Sequence, residues 1–229
     1  MPADPWTTPT ALGAAETTTG AFMAKVYRWM AGGLALTGAV AWFIAGNDAA
    51  MSAIFGKPAL MWGLFIAQMI MVIAFTRVSR TASFGVAAAM FLAYCALTGV
   101  TFAAILRVYT GESIAQTFFV TGGAFLGLSV YGTVTKRDLS AWSQFLFMGL
   151  IGIVIASLAN LFFHSSAVSF VVSCAGVLVF TGLTAYDTQK LRAYAQVGDD
   201  RLALNGALSL YLDFINLFLM ILRLFGRRR

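Results

Sequence analysis

Charge is what this chain has least of: Asp, Glu, Lys and Arg make up 10% of its 229 residues, against about a quarter in an ordinary soluble domain. Histidine occurs once, cysteine twice and proline four times. With 60% hydrophobic residues and a mean hydropathy of +0.83, too little polar surface remains to cover a water-soluble domain. Windows of about 20 apolar residues, the length that crosses hydrocarbon, fill almost everything after Met23. The chain is therefore expected to be an integral membrane protein with no soluble domain left over. Cys95 and Cys174 stand singly in apolar windows without a CxxC partner, which argues against a disulfide framework or a cysteine metal site. Residues 1–22 carry Pro, Thr and acidic residues but no basic stretch ahead of an apolar one, so they read as a disordered tail and not as a signal peptide. The net charge of +6 could suggest nucleic acid, but in such a chain it is a topology signal, and no nucleic-acid partner is expected.

What is abundant is hydrophobic run. Seven windows stand out: Val26 to Gly46, Pro58 to Phe75, Ala82 to Leu106, Ile114 to Val134, Leu139 to Phe163, Ala167 to Tyr186 and Leu204 to Leu222. They are too long and too uniformly apolar for the alternating strands of a membrane barrel, segments of about ten residues. The expected fold is an all-α membrane protein, a disordered tail over 1–22 followed by a seven-helix transmembrane domain over 23–229. Lys25, Arg28, Arg77, Arg80, Lys136, Arg137, Lys190, Arg192 and Arg201 collect on one side, and Lys57 and Arg107 on the other. The positive-inside rule then puts the N-terminus in the cytoplasm. The last window conflicts with that rule, because a seventh crossing exports Arg223, Arg227, Arg228 and Arg229. Charge alone prefers a re-entrant hairpin there, while length prefers a full span, shielded by the other six helices. Small residues at helix-packing spacing, Gly33 and Thr37, Gly123 and Gly127, Gly149 and Gly152, predict close approach of neighbouring helices.

Seven of the nine carboxylates fall in the tail or the loops, and two do not. Asp213 is flanked on both sides by apolar and small residues in "LSLYLDFINLFLMIL", where an ionised carboxylate costs on the order of 2.5 to 3.5 kcal/mol, so it must face protein or water. Asn205, Ser209, Asp213 and Asn216 follow at helical spacing and share one face, which suggests a wet lining. In the preceding window Ser173, Gly176, Thr184 and Asp187 form a similar stripe, ending at the basic residues Lys190 and Arg192. Two such helices in succession can bring Asp187 and Asp213 together. Carboxylates meeting in a restricted dielectric share a proton and titrate as a unit, which makes the pair a pH sensor. The competing reading makes Asp187 a helix-end residue paired with Lys190 or Arg192, and Asp213 structural glue. His164, near a helix end, reads as an interfacial residue.

The segments "SLYLDFINLFLMILRLFG", "TAYDTQKLR" and "AKVYRWMAGGLALTG" together resemble the transmembrane Bax inhibitor motif family, in its bacterial YccA branch, from about Met23 to Gly226. The resemblance implies a seven-helix bundle with the C-terminal helix at its centre, and a calcium leak in the bacterial inner membrane governed by pH. It implies that Asp187 and Asp213 form the sensing pair, and that an arginine closing the second helix, Arg77 or Arg80, acts as a latch. Some relatives carry a glutamate within the second helix; this chain has Gln68. With Asn216 and Ser209 the two acids still fall short of the six to eight oxygens calcium prefers, so the expected site is weak and suits a permeant ion, with no resident cofactor. Three other functions compete. An aspartyl intramembrane protease needs a GxGD motif, but Asp213 follows "LYL". A proton-coupled carrier predicts saturable flux. A regulator would bind a membrane-anchored protease, as the resemblance also implies.

Overall fold

Inside a bilayer no water can satisfy backbone N–H and C=O groups, so an apolar segment must bond its own backbone and does so as a helix. The computed structural model describes residues 9–79, 81–195 and 199–229, with side chains from Thr18 onward. These residues form α1 (Pro9–Ala45), α2 (Asp48–Phe55), α3 (Pro58–Val78), α4 (Phe84–Val108), α5 (Gly111–Val134), α6 (Ser140–Phe163), α7 (Ser166–Tyr194) and α8 (Asp200–Phe225). All but α2 are long and apolar enough to cross a membrane.

Local chemistry sets the boundaries. Asn47, Thr110, Ser165 and Asp199 occupy the N-cap positions of α2, α5, α7 and α8, and each side chain accepts a backbone N–H of the first turn. Pro58 opens α3, where its missing N–H has no helical partner to lose. His164 ends α6 in the left-handed conformation, with φ 50. The Arg201 guanidinium grips Asp199 through Nε and Nη2 at 2.9 to 3.2 Å and holds that carboxyl below its ordinary range.

The helices match the expected windows to within a few residues, apart from two extensions. α1 begins at Pro9, inside the stretch read as a tail, and Phe22 belongs to the packed core. α7 continues past Tyr186 to Tyr194, so Asp187 lies within the helix and not at its end.

α8 occupies the centre. In its most apolar window 61% of the residues are buried, against 6% in α3. It packs against α1, α4, α5 and α7, while α3 and α6 present Phe65, Ile66, Met69, Phe145 and Ile155 outward as a lipid-facing shell. Lys25 pairs with Asp200 at one end of α1 and α8, and Thr37 meets Tyr211 further along both, so the two helices run parallel. The C-terminal residues then reach the end of the bundle where α4 stops: Thr110 N donates to Arg227 O at 3.0 Å, Arg229 N to Val108 O at 2.9 Å, and Arg227 N to Ser113 Oγ at 3.0 Å. The last segment therefore makes a full crossing, and the re-entrant alternative is excluded. The two ends are called below the N-terminal rim (Lys25, Asp200) and the C-terminal rim (Val108, Arg227).

Close approach depends on fewer glycines than the small-residue motifs predict. A Cβ on Gly33 would stand 2.7 Å from Cys95 Sγ, and one on Gly149 2.8 Å from Val179, so these two pack as expected. Gly123, Gly127 and Gly152 have nothing within 4 Å. The tightest backbone approach between two helices is Gly132, where a Cβ would meet the Ala185 carbonyl oxygen at 2.4 Å, and a backbone atom cannot swing aside. Gly132→Ala is expected to push α5 away from α7 and cost about 1 to 3 kcal/mol, the usual range for overpacking. Thermal unfolding in detergent checks this against Gly127→Ala, expected to unfold like the wild type; equal behaviour of the two variants contradicts it.

Candidate functional site

α7 and α8 run antiparallel with small residues at their contacts. Gly176 faces Met220 near one end of the pair and Gly206 faces Leu191 near the other. Asp213 is seven residues beyond Gly206, as Thr184 is seven before Leu191, so the two lie abreast. Asp187 then sits about one helical turn closer to the N-terminal rim. The pair lies within electrostatic reach of each other.

Their surroundings differ. Asp213 is 5% exposed, and its Oδ2 has no hydrogen-bond partner among the described residues. Asp187 is half-buried and has no described hydrogen bond or ion pair. The basic residues that might have neutralised it are engaged elsewhere: Arg192 donates to the Thr133 carbonyl, and the Lys190 ammonium lies over the rings of Tyr186 and Tyr194 at 5.7 and 5.8 Å. Lys190 still acts on Asp187 at longer range. The helix-end ion pair with Lys190 or Arg192 is thus not formed.

The remaining candidates are partly diverted to structural duty. Asn205 accepts from Ser79 Oγ at 3.0 Å, docking the end of α3 on α8, and donates to Arg201 O. Asn216 turns its Nδ2 back to Leu212 O at 2.8 Å, which leaves its carbonyl oxygen as the available donor atom for a cation. Ser209 is half-buried on the same side of α8. Arg77 is exposed at the end of α3 and makes no ion pair with either aspartate among the described residues; Arg80 lies outside them. Gln68 ties α3 to α4 by donating to Leu97 O at 3.1 Å and Thr101 Oγ1 at 3.2 Å. No group of three or more His, Cys, Asp or Glu able to hold a metal occurs among the described residues.

One anchor of the site is not legible as such in the stripe pattern. Tyr211, two residues before Asp213, is fully buried between α1 and α4, with its hydroxyl 2.6 Å from Thr37 Oγ1. Thr37 in turn donates to Cys95 O at 2.9 Å. Phe91 and Tyr94 meet the Tyr211 ring edge-on at 6.2 and 6.0 Å. A tyrosine in the middle of an apolar run signals that its hydroxyl needs a partner, but the partner is supplied by a helix more than 170 residues earlier, which no local pattern reveals. This junction fixes the rotation of α8, and with it the direction in which Asp213 points.

Comparison with known proteins follows this geometry closely in extent. Residues 19–229 match the family described as "Inhibitor of apoptosis-promoting Bax1". The chain is 50% identical over 215 residues to the inner membrane protein YbhL of Escherichia coli (strain K12), covering 91% of this chain and 92% of that one. It is 44% identical over 212 residues to a protein of Deinococcus radiodurans, with 90% of each chain covered. With a protein of Borreliella burgdorferi the identity is 43% over 214 residues, covering 91% of this chain and 92% of the other.

The Tyr211 junction separates a hydrogen bond from packing. Tyr211→Phe removes the bond to Thr37 but keeps the ring and is expected to cost about 0.5 to 1.5 kcal/mol. Tyr211→Ala also empties the site and is expected to cost about 3 to 5 kcal/mol, as large aromatic truncations do. Equal destabilisation by the two in thermal unfolding contradicts the assignment.

Proposed function

The chain belongs to the Bax inhibitor family, and we propose that within it this membrane protein is a calcium leak channel whose conductance is set by protonation of Asp187 and Asp213. The observation that carries the reading is the unpartnered Oδ2 of Asp213, buried at the centre of the bundle beside a second carboxylate. A buried polar atom without a partner costs free energy, and inside a membrane it marks a path for ions or protons.

Two carboxylates a turn apart interact strongly enough to share protons, so their charge changes as one quantity. Charge draws a divalent cation in; its loss releases the repulsion between the acids. Both effects make conductance depend on pH. Among the described residues neither acid is held in an ion pair. The oxygens available, two carboxylates with the Asn216 carbonyl and the Ser209 hydroxyl, are fewer than the six to eight that firm calcium binding uses, and a cation passing there keeps part of its water. Weak, hydrated binding lets an ion leave as readily as it enters.

The basic residues of the N-terminal rim support a cytoplasmic N-terminus under the positive-inside rule. The likeness to YbhL, an inner membrane protein, supports the bacterial inner membrane as the location.

Calcium entry into liposomes containing the purified protein tests the reading, measured from about pH 5 to 8 so that perturbed carboxylates titrate within the range. The expected result is a pH-dependent flux that Asp213→Asn makes flat. Flux indifferent to both pH and the substitution overturns it. Absence of flux above empty liposomes would favour a regulator acting on a membrane-anchored protease.

A further inference from the structure

We propose that the buried face of α5 lines the same path, with Thr121 and Ser129 supplying neutral oxygen ligands and Phe125 between them forming the apolar plug that separates the two rims. This rests on the permeation reading above and extends it to residues that the aspartates alone do not indicate.

Hydroxyls inside a membrane helix commonly satisfy themselves on the carbonyl one turn back. Thr98, Thr133, Ser173, Thr184 and Thr188 all do so here, at 2.8 to 2.9 Å. Thr121 and Ser129 do not. They are 0% and 4% exposed, and Thr121 Oγ1, Ser129 Oγ and Asp213 Oδ2 are the buried side-chain polar atoms without a partner among the described residues. All three lie on two helices that pack together, α5 and α8.

The α5 residues form one ridge that winds gradually around the helix. Ser113, Thr117, Thr121, Phe125 and Ser129 are each four apart and all buried. That ridge is turned to α8, because Phe125 packs edge-on against Phe214 at 5.6 Å and Phe118 against the same ring at 5.5 Å. It also meets α7, through the Gly132 approach to Ala185. Phe214 is the neighbour of Asp213 in sequence and meets α5 at Phe118 and Phe125, so the acid lies nearer the level of Thr121 than that of Ser129.

Thr121 and Ser129 stand eight residues, about 12 Å, apart along α5, and each orphaned oxygen on this stretch requires water or an ion, since it would otherwise remain unsatisfied in hydrocarbon. Phe125, 3% exposed, interrupts the row of hydroxyls between them. An apolar ring across a narrow polar path excludes water, and such a constriction gates by drying. At the C-terminal rim the row ends at Ser113, whose hydroxyl holds Arg227 N at 3.0 Å.

The first test is flux in liposomes for the near-isosteric Thr121→Val and for Ser129→Ala, beside wild type and Asp213→Asn. Each hydroxyl deletion is expected to lower calcium flux several-fold while its pH dependence persists. Phe125→Ala is expected to raise flux at the pH where the wild type conducts least. The second test needs no flux: Thr121→Cys and Ser129→Cys are treated with a charged, membrane-impermeant thiol reagent applied to one rim at a time. Thr121→Cys is expected to react from the C-terminal rim and Ser129→Cys from the N-terminal rim, and Phe125→Ala to abolish that sidedness. Thr98→Cys, bonded and buried between other helices, serves as the unreactive control. Hydroxyl variants that conduct like wild type, or cysteines on α5 no more reactive than the control, overturn the assignment while the aspartate pair stands. Sided labelling without any wild-type flux overturns the permeation reading and keeps the wetted α5 face. Monodisperse elution and wild-type thermal stability establish that each variant is folded.

Discussion

The burial of one carboxylate at the middle of the central helix is the constraint on which the rest of this structure depends. Asp213 cannot face lipid, so α8 must be wrapped, and four other helices pack directly on it. The lipid-facing surface falls to the outer helices, most of all to α3 and α6, which bury 6% and 11% of their most apolar windows. Wrapping the acid does require that the rotation of α8 be fixed, since a turn of one residue would move the acid off its level. The Thr37, Tyr211 and Cys95 junction with α1 and α4, and the Phe214 aromatic contacts with α5 one turn further along, hold that rotation through different neighbouring helices.

The ends of the bundle are closed by a different chemistry. At the N-terminal rim, Lys25 meets Asp200, Ser79 meets Asn205, and Gln189 donates to Arg137 O while accepting from Leu139 N. At the C-terminal rim, Asp48 pairs with Arg107 and the last residues bond to the start of α5. These contacts tie the ends of α1 and α3 to α8, α7 to the connection between α5 and α6, and α2 to α4. Exposed ion pairs of this kind contribute little stability singly, about 0 to 1 kcal/mol, so their role is to fix ends and register. The middle of the bundle is then left to packing, with Gly132, Gly182 and Gly206 setting the closest approaches between helices.

Much of this was legible in the sequence. Uninterrupted hydrophobicity marks each span, because the length needed to cross hydrocarbon is a physical constant of the bilayer. Asp187 and Asp213 stand out because ionisable groups at that depth are expensive. Other features were hidden for definite reasons. α1 starts earlier than hydropathy suggests, since its first turns precede the apolar run, and α7 outlasts its window because Asp187, Lys190 and Arg192 lower hydropathy without breaking a helix. The "GAFLG" spacing of Gly123 and Gly127 looks like a packing motif but faces open space, whereas Gly132, which belongs to no motif, makes the close approach. The hydroxyl row on α5 is visible as a four-residue spacing, yet spacing alone cannot tell a serine bonded to its own backbone from one left free. Only the three-dimensional arrangement separates Thr121 and Ser129 from Thr184 and Thr188.

The central claim is that Asp187 and Asp213 exchange protons as a single unit within the bundle. Infrared difference spectroscopy of the reconstituted protein with isotope-labelled aspartate reads it most directly, by following the carboxyl C=O band as pH is varied in the wild type and in Asp187→Asn. The account predicts a band from Asp213 whose titration midpoint moves when Asp187 is replaced, because the neighbour's charge is part of its environment. A band whose midpoint is the same in both proteins would show two independent acids and contradict the account.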